Sequence, residues 1–297
     1  MPLVLFLNFF LFYFLFLYLP PINIFGDQNI ITYKNGDKSV HLLISTILMF
    51  LYSEQYSRKW LVANTILIVI NFLILLAFTR SGSVAYIFAL FSFFFFSKEK
   101  IINDSIRKLL KYVPIIILIG MSLFFAADIQ ADAQGRTISL SQIIDNFSSI
   151  VSSDIDGSLT DNKVWRMVWW TKLVNESFTL QHFFVGKGLG MSLAGNDILS
   201  SGDKLRSPHN FHLTILARFG YIVFITWIIW LASLFKPLFT RKLEGKTLAI
   251  TSILLAFIIN GSFDVFLEGP MGAFPFWTFV GLLFIENTYG SPTEIPN

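Results

Sequence analysis

The stretch SPHNFHLTILARFGY places polar and basic residues at the start of a long apolar run. His209 and Asn210 follow Pro208, and proline suits the first turn of a helix because its missing N–H would be unpaired there. Helix N-termini attract anions, and the preceding Lys204 and Arg206 add positive charge. The pattern predicts an anion site at this helix start, with His209 as its proton-transfer group.

Three arginines lie close to the ends of apolar runs. Arg80 stands between two such runs, Arg166 lies among the tryptophans of WRMVWW, and Arg218 lies inside the run after the histidines. A charge within the bilayer costs roughly 2.5–3.5 kcal/mol on insertion scales, so such residues normally face a cavity or a partner. The expected partners of Arg218 are Asp264 and Glu268. The alternatives without function are snorkelling to headgroups for Arg80 and a cation–π or lipid-phosphate contact for Arg166.

Other site types find little support in the sequence. GKGLG resembles a phosphate loop, but no apolar strand precedes it and no helix clearly follows, so we interpret it as a turn. Asp154, Asp156 and Asp161 lack the glycine and glutamate pattern of a calcium loop, and no metal site is expected. The chain contains no cysteine, which excludes disulfides and thiolate chemistry. His212 shares a helix face with His209 and is assigned to packing.

The composition is that of a polytopic membrane protein. Of the 297 residues, 54% are hydrophobic and only 14% are charged, whereas soluble domains carry about 25% charged residues. The net charge of +3 gives no indication of a nucleic-acid partner. We therefore predict an all-α polytopic integral membrane protein that forms a single membrane domain over residues 1–297.

A membrane span needs about 20 predominantly apolar residues. About eight transmembrane helices are predicted on this basis. They are Leu3–Leu19, Val40–Tyr52, Trp60–Phe78, Val84–Phe96, Tyr112–Ala127, Phe211–Phe235, Thr247–Ile259 and Ala273–Ile285.

The distribution of basic residues predicts the orientation. Lysine and arginine concentrate in segments 54–59, 97–111 and 236–246, which the positive-inside rule assigns to the cytoplasm. Both termini are then cytoplasmic, and residues 128–208 form a large extracytoplasmic loop between the fifth and sixth spans. Within this loop, TISLSQIIDNFSSIV has the apolar spacing of a short amphipathic helix, and VWRMVWW suits a membrane interface.

Three stretches together resemble the superfamily of bacterial membrane glycosyltransferases that contains O-antigen ligases and O-antigen, capsular and exopolysaccharide polymerases. They are FTRSGSVAYIFAL, the outer loop with WRMVWW and FVGKGLG, and SPHNFHLTILARFGYIVFITWIIW with its His-Asn helix start; together they cover residues 60–235. The resemblance implies metal-independent glycosyl transfer without a cofactor, on the outer face of the bacterial cytoplasmic (inner) membrane. It also implies that Arg80, Arg166 and His209 are the catalytic residues.

The donor implied by the resemblance is a glycan on a polyprenyl diphosphate, and the acceptor is a sugar hydroxyl of a glycan. Arginine forks bind phosphate oxygens bidentately, so Arg80 and Arg166 are expected on the diphosphate, while His209 activates or positions the acceptor. Further substrate contacts are expected from Lys204, Arg206, Arg218, Asn210, Trp165 and Trp169.

Four functions remain open at this stage. The favoured one is a polymerase that adds whole repeat units to a growing glycan, with membrane lipids, a chain-length regulator and a flippase as candidate partners. The close alternative is a ligase that moves a finished glycan to lipid A core or to a protein. A transporter or flippase predicts polar residues at mid-membrane and two related halves. An assembly subunit predicts that alanine at Arg80, Arg166 or His209 leaves the glycan product unchanged.

Overall fold

The computed structural model describes residues 35–97, 158–190, 207–240, 245–264 and 266–289, with short pieces and single residues elsewhere. This part of the chain is predominantly helical, which confirms the helical character expected from the sequence. The helices are α1 (Asn35–Leu51), α2 (Arg58–Phe78), α3 (Arg80–Phe96), α4 (Ser158–Ser177), α5 (Leu180–Val185), α6 (Phe211–Thr240), α7 (Gly245–Gly261) and α8 (Pro270–Tyr289).

Six of these helices, α1 to α3 and α6 to α8, coincide with predicted spans. The predicted spans Leu3–Leu19 and Tyr112–Ala127 lie largely outside the described residues. Among the described helices, Arg58–Phe78 and Phe211–Phe239 are long and apolar enough to cross a membrane. Shorter apolar helices are Lys38–Leu51, Arg80–Phe96 and Gly245–Gly261. The count of eight spans stays a prediction.

Two short antiparallel hairpins are the exception to the helical character. β1 (Ile22–Phe25) pairs with β2 (Gln28–Ile30), and β3 (Ile129–Gln130) pairs with β4 (Thr137–Ile138). The amphipathic helix predicted to begin at Thr137 is therefore wrong at its start, because β4 occupies that position. Threonine and isoleucine are β-branched and fit a strand better than a helix terminus. Most of the remaining segment lies outside the described residues.

Polar side chains lie between the helices, and large apolar side chains face outward. Asn71 on α2 and Asn260 on α7 are completely buried. On α3, Phe88, Phe91 and Phe95 follow each other at helical spacing and are each about 60% exposed. The described helices thus combine an apolar interior that includes buried polar residues with an exposed surface that is also apolar, whereas helices of a group in water expose polar residues.

Thr79 separates α2 from α3 and positions Arg80. Its backbone is extended, and its N–H donates to the carbonyl of Leu75 at 3.0 Å, which ends α2. Its side chain accepts a 3.1 Å hydrogen bond from the N–H of Gly82 and so caps α3. Arg80 is therefore the first residue of α3, and it is half-buried.

The starts of α1, α3 and α6 meet the end of α7, and we call this end of the helix group the site end. Asn260 of α7 donates a 2.9 Å hydrogen bond to the hydroxyl of Ser39 on α1. A Cβ at Gly82 of α3 would lie 3.1 Å from Cβ of Ser39, so these helices touch closely. A Cβ at Gly261 would lie 3.8 Å from that of Phe211 at the start of α6.

Helix α6 is folded at Gly220, which has a φ of 78° and a ψ of −178°. His212 and Trp227 lie 15 positions apart, yet Trp227 Nε1 donates to His212 Nδ1 at 3.0 Å. A straight helix would separate their Cα atoms by about 22 Å. The chain therefore bends sharply at Gly220, so the first arm (211–219) does not continue the axis of the second arm (221–240). The single span predicted from Phe211 is wrong in this respect, because glycine permits a backbone that ends one helix and starts another.

The second arm of α6 keeps the properties of a membrane span. Twenty residues of α-helix extend about 30 Å, which matches the thickness of the bilayer hydrocarbon core, about 30 Å. Along this arm Ile222, Ile225, Ile229 and Phe239 are exposed.

Candidate functional site

His209 lies immediately before α6 in an unusual backbone conformation. Its φ is 53°, in the left-handed region that residues other than glycine rarely adopt. Such a conformation costs about 1–3 kcal/mol and is common at functional sites. The indole N–H of Trp170 donates a 2.7 Å hydrogen bond to the carbonyl of Pro208 and holds this segment in place.

The predicted sixth span starts at the residue where α6 starts, but Pro208 does not lie in the first turn as expected. Helix α6 begins at Phe211, and Asn210 is its N-cap, because the Asn210 side chain accepts a 3.1 Å hydrogen bond from the N–H of Leu213. Pro208 precedes the cap and is not part of the first turn. Asn210 therefore has a structural role that accounts for its side-chain oxygen.

His209, Asp264 and Arg166 form one cluster at the site end. His209 Nδ1 lies 3.4 Å from Oδ1 of Asp264, which follows α7. Arg166 of α4 donates from Nη1 to the carbonyl of Phe263 at 3.1 Å. Three separate segments of the chain thus meet at this point. We refer to these residues as the His–Asp–Arg cluster.

The electrostatics of the cluster link its charged members. Burial lowers the pKa of the Arg166 guanidinium, and the neighbouring carboxylate of Asp264 raises it. The side chains of His209 and Asp264 are 34% and 24% exposed, so both are accessible to an incoming molecule. The carboxylate therefore has two tasks, since it compensates a partly buried cation and faces a histidine nitrogen.

Glu268 stabilises the segment on the other side of His209. Its Oε1 accepts 2.7 Å hydrogen bonds from the hydroxyls of Ser207 and Thr214. These two residues flank the N-cap of α6, so a single carboxylate oxygen ties together the chain before and after His209. The sequence prediction that paired Glu268 with Arg218 is wrong, because the carboxylate is used here.

Arg218 instead binds the glycine-rich turn between α5 and α6. Its Nη1 donates to the carbonyls of Gly188 at 2.9 Å and Leu189 at 3.2 Å. In return, the N–H groups of Lys187 and Gly188 donate to the carbonyls of Ala217 and Arg218, at 2.8 and 3.0 Å. The fold at Gly220 ends the first arm of α6, and a helix end leaves its last carbonyls without helical partners. The turn supplies the missing donors.

These bonds confirm that GKGLG is a turn. Two of its N–H groups are engaged by α6 and are not directed at a phosphate. The turn also approaches the helix closely, because a Cβ at Gly186 would overlap the backbone of Arg218. Lys187 forms an ion pair with Glu176 of α4, which ties the turn to the helix that carries Arg166.

His212 is a structural residue, as expected. Because its Nδ1 accepts from Trp227, its proton resides on Nε2, which lies 3.4 Å from the carbonyl of Ile258. Both ring nitrogens therefore bind protein groups, and the ring connects the two arms of α6 with α7. His209, by contrast, faces the carboxylate of Asp264.

The remaining predicted site residues have different positions. Arg80 is the first residue of α3 and so lies at the site end, two positions before Gly82, which approaches Ser39. Trp169 is 5% exposed and packs with Leu173, Leu193 and Ala217. Its side chain therefore connects α4 to α6 and is buried away from an incoming substrate. Lys204, Arg206 and the side chain of Trp165 lie outside the described residues.

Two residues of the site were not predicted in their observed roles. Trp170 contacts the segment of His209, and its spacing of four from Arg166 could have indicated a shared helix face. Asp264 was expected beside Arg218 rather than His209, and nothing local in the sequence distinguishes these two partners.

Comparisons with known proteins give no relative for this chain. No family model, no curated protein and no solved structure matches it. Within the described residues, no group of three or more histidine, aspartate or glutamate side chains could hold a metal ion.

Proposed function

We propose that the protein is a bacterial membrane glycosyltransferase that polymerises lipid-linked repeat units. The observation that carries the proposal is the His–Asp–Arg cluster, in which a histidine, its carboxylate partner and a phosphate-binding type of side chain meet at one end of an apolar helix group. Arg80 occupies the same end. This combination suits a phosphate-bearing donor and a hydroxyl acceptor.

The packing supports a location in the membrane. Ser39, Asn71 and Asn260 lie buried between the helices among apolar residues, and phenylalanine and isoleucine side chains also face outward on α3 and on the second arm of α6. Helices that associate within lipid show this arrangement. In water, exposed apolar surface of this kind would cause association or aggregation.

The ends of the helices support the proposed orientation. Arg58 and Lys59 begin α2, and Lys236 lies near the end of α6, at the opposite end of the helix group from His209. The positive-inside rule places that basic end in the cytoplasm. The site end then faces the outside, and both chain termini are cytoplasmic.

The proposed reaction is a displacement at the anomeric carbon of the donor. The acceptor hydroxyl oxygen forms a bond to that carbon while the bond to the diphosphate oxygen breaks, and the polyprenyl diphosphate leaves with both bonding electrons. Arg166 and Arg80 stabilise the charge on the leaving diphosphate. The acceptor proton moves to Nε2 of His209, because Asp264 faces Nδ1 and favours the tautomer with the proton there.

The magnitudes expected from this mechanism are large enough to measure. A positioned general base contributes about 10²–10⁴-fold to the rate. The diphosphate is a good leaving group, so no general acid is needed. The arginines therefore have the task of charge stabilisation, which lysine performs less well because it lacks the planar fork.

The test uses purified protein in lipid vesicles with polyprenyl-diphosphate repeat units, and the readout is the length distribution of the glycan. We expect a ladder from the unchanged protein and none from His209→Ala, Arg80→Ala or Arg166→Ala. Lys172→Ala is the matched control, since it removes an exposed cation from the helix that carries Arg166. A full ladder from the three site variants contradicts the proposal. Transfer of a preformed glycan to an added acceptor, without a ladder, assigns the protein as a ligase.

A further inference from the structure

The outer loop exposes an apolar surface that the proposed reaction does not use. Leu180 and Val185 of α5 are 84% and 72% exposed, and Leu189 of the following turn is 72% exposed. Phe178 and Phe184 are also exposed, at 61% and 53%. We call these five residues the α5 face. Five exposed large apolar residues within twelve positions are more than the scattered single ones of an ordinary surface, and exposed apolar surface of this kind usually marks a binding surface.

The α5 face is fixed to one position along α6. A Cβ at Gly220 would lie 2.6 Å from the carbonyl oxygen of Phe183, so the backbone of α5 rests on the fold of α6. The ring of Tyr221 packs against Phe183 at 4.8 Å and against Phe178 at 4.9 Å. The bonds between Arg218 and the glycine-rich turn add to this attachment.

That position coincides with the edge of the apolar surface of α6. The exposed large apolar residues of the second arm begin at Ile222, two positions after Gly220, and run to Ile229, before the exposed Lys236. From Ile222 to Phe235 the arm extends about 20 Å as α-helix, within the hydrocarbon core of about 30 Å. Tyr221 at its outer edge is a residue type that favours the membrane interface. Gly220 and the attached α5 therefore lie at the boundary between hydrocarbon and headgroups.

We propose that the α5 face docks on the outer leaflet of the bilayer, with its apolar side chains inserted at the level of the headgroups. The proposal rests on the membrane location given under the proposed function, but not on the glycosyl transfer. The α5 face continues the apolar surface of the second arm, and the lipid bilayer covers both surfaces. Short amphipathic helices bind bilayers in this way by burying their apolar residues just below the headgroups.

The docking has a consequence for the site. Helix α4, which carries Arg166, leads directly into α5, and Glu176 at the end of α4 pairs with Lys187 of the turn. Docking of the α5 face on the lipid therefore fixes the position of α4 relative to the membrane surface. Arg166 is held near the level at which the diphosphate of a lipid-linked donor emerges from the membrane.

The absence of cysteine makes the test direct, because single cysteines can be introduced without removing any native one. Val185→Cys, Ile229→Cys and Asn175→Cys are each labelled with an environment-sensitive fluorophore and reconstituted into vesicles of phosphatidylglycerol and phosphatidylethanolamine. All three positions are exposed or on helix surfaces, so the fold tolerates the label. Lipids with a nitroxide near the headgroup or near the chain end, and aqueous iodide, serve as quenchers.

The expected result is loss of most of the Val185 fluorescence with the shallow nitroxide lipid, and of the Ile229 fluorescence with the deep one. The Asn175 label, on α4, is quenched by iodide alone. Quenching of the Val185 label by iodide, while Ile229 remains in lipid, overturns the proposal and leaves the membrane location intact. A Val185 label that neither the nitroxide lipids nor iodide quench also overturns the proposal and indicates a protein partner such as a second copy. Quenching of Ile229 by iodide contradicts the membrane location itself.

Discussion

The indole of Trp227 donates a 3.0 Å hydrogen bond to the imidazole of His212, and this bond joins the two arms of α6 across the fold at Gly220. We expect Trp227→Phe to destabilise the protein by about 1–3 kcal/mol, because a half-buried imidazole nitrogen loses its donor while the aromatic packing is kept. Thermal unfolding in detergent measures the loss. Transfer activity at low temperature should persist in both Trp227→Phe and His212→Ala. Abolished transfer by folded His212→Ala contradicts the structural assignment and makes His212 a catalytic candidate.

The Asp264 carboxylate couples His209 to Arg166. We expect Asp264→Asn to lower transfer less than His209→Ala does, for which about 10²–10⁴-fold is expected. Added to His209→Ala, the same substitution should cost less than it does alone, because only the interaction of Asp264 with Arg166 is then lost. Initial rates of the four proteins in this cycle measure the coupling. Independent, multiplying effects indicate that Asp264 does not act through His209.

Alanine substitutions at three glycines near the bend of α6 can distinguish the cost of steric overlap from the cost of backbone strain. Gly188 has a φ of 72° but nothing within 4 Å of an added Cβ, so Gly188→Ala should cost about 1–2 kcal/mol from the left-handed backbone alone. Gly186→Ala and Gly220→Ala should cost more, because a Cβ there would also overlap backbone of the facing segment. Gly190→Ala is the control, since its surroundings are open and its φ is not positive. Equal thermal midpoints for all four variants would show that the turn does not dock on α6.

Arg218 is expected to act on the loop rather than on the substrate. Arg218→Ala removes the hydrogen bonds to Gly188 and Leu189, and we expect faster limited proteolysis between α5 and the start of α6. Arg218→Lys should restore part of the resistance, because one amine can reach only some of these carbonyls. Lys236→Ala, at the far end of the same helix, controls for the loss of a cation. Unchanged proteolysis combined with weaker donor binding favours the substrate role predicted from the sequence.

The sequence predicts the helices well because apolar periodicity and length are local properties. It predicts less well where a single residue redirects the chain. The run after Phe211 is apolar throughout, so its pattern does not indicate the change of direction at Gly220. That change depends on the N–H donors of Lys187 and Gly188, which come from another segment of the chain. Partner choice is equally nonlocal. Arg218 and Asp264 carry opposite charges, and only the path of the loop shows that the arginine binds carbonyls while the carboxylate faces His209.

The bonds between the glycine-rich turn and α6 also set an order for biosynthesis. The turn precedes α6 in the chain, so the ribosome completes these donors before it completes the carbonyls of Ala217 and Arg218. Unpaired carbonyls in lipid cost several kcal/mol each. In the proposed membrane topology, the segment that forms α6 can therefore leave the translocon already bent at Gly220 once the glycine-rich turn has been exported. A chain whose loop is delayed or deleted would present unpaired backbone to the bilayer and become a substrate for membrane quality-control proteases.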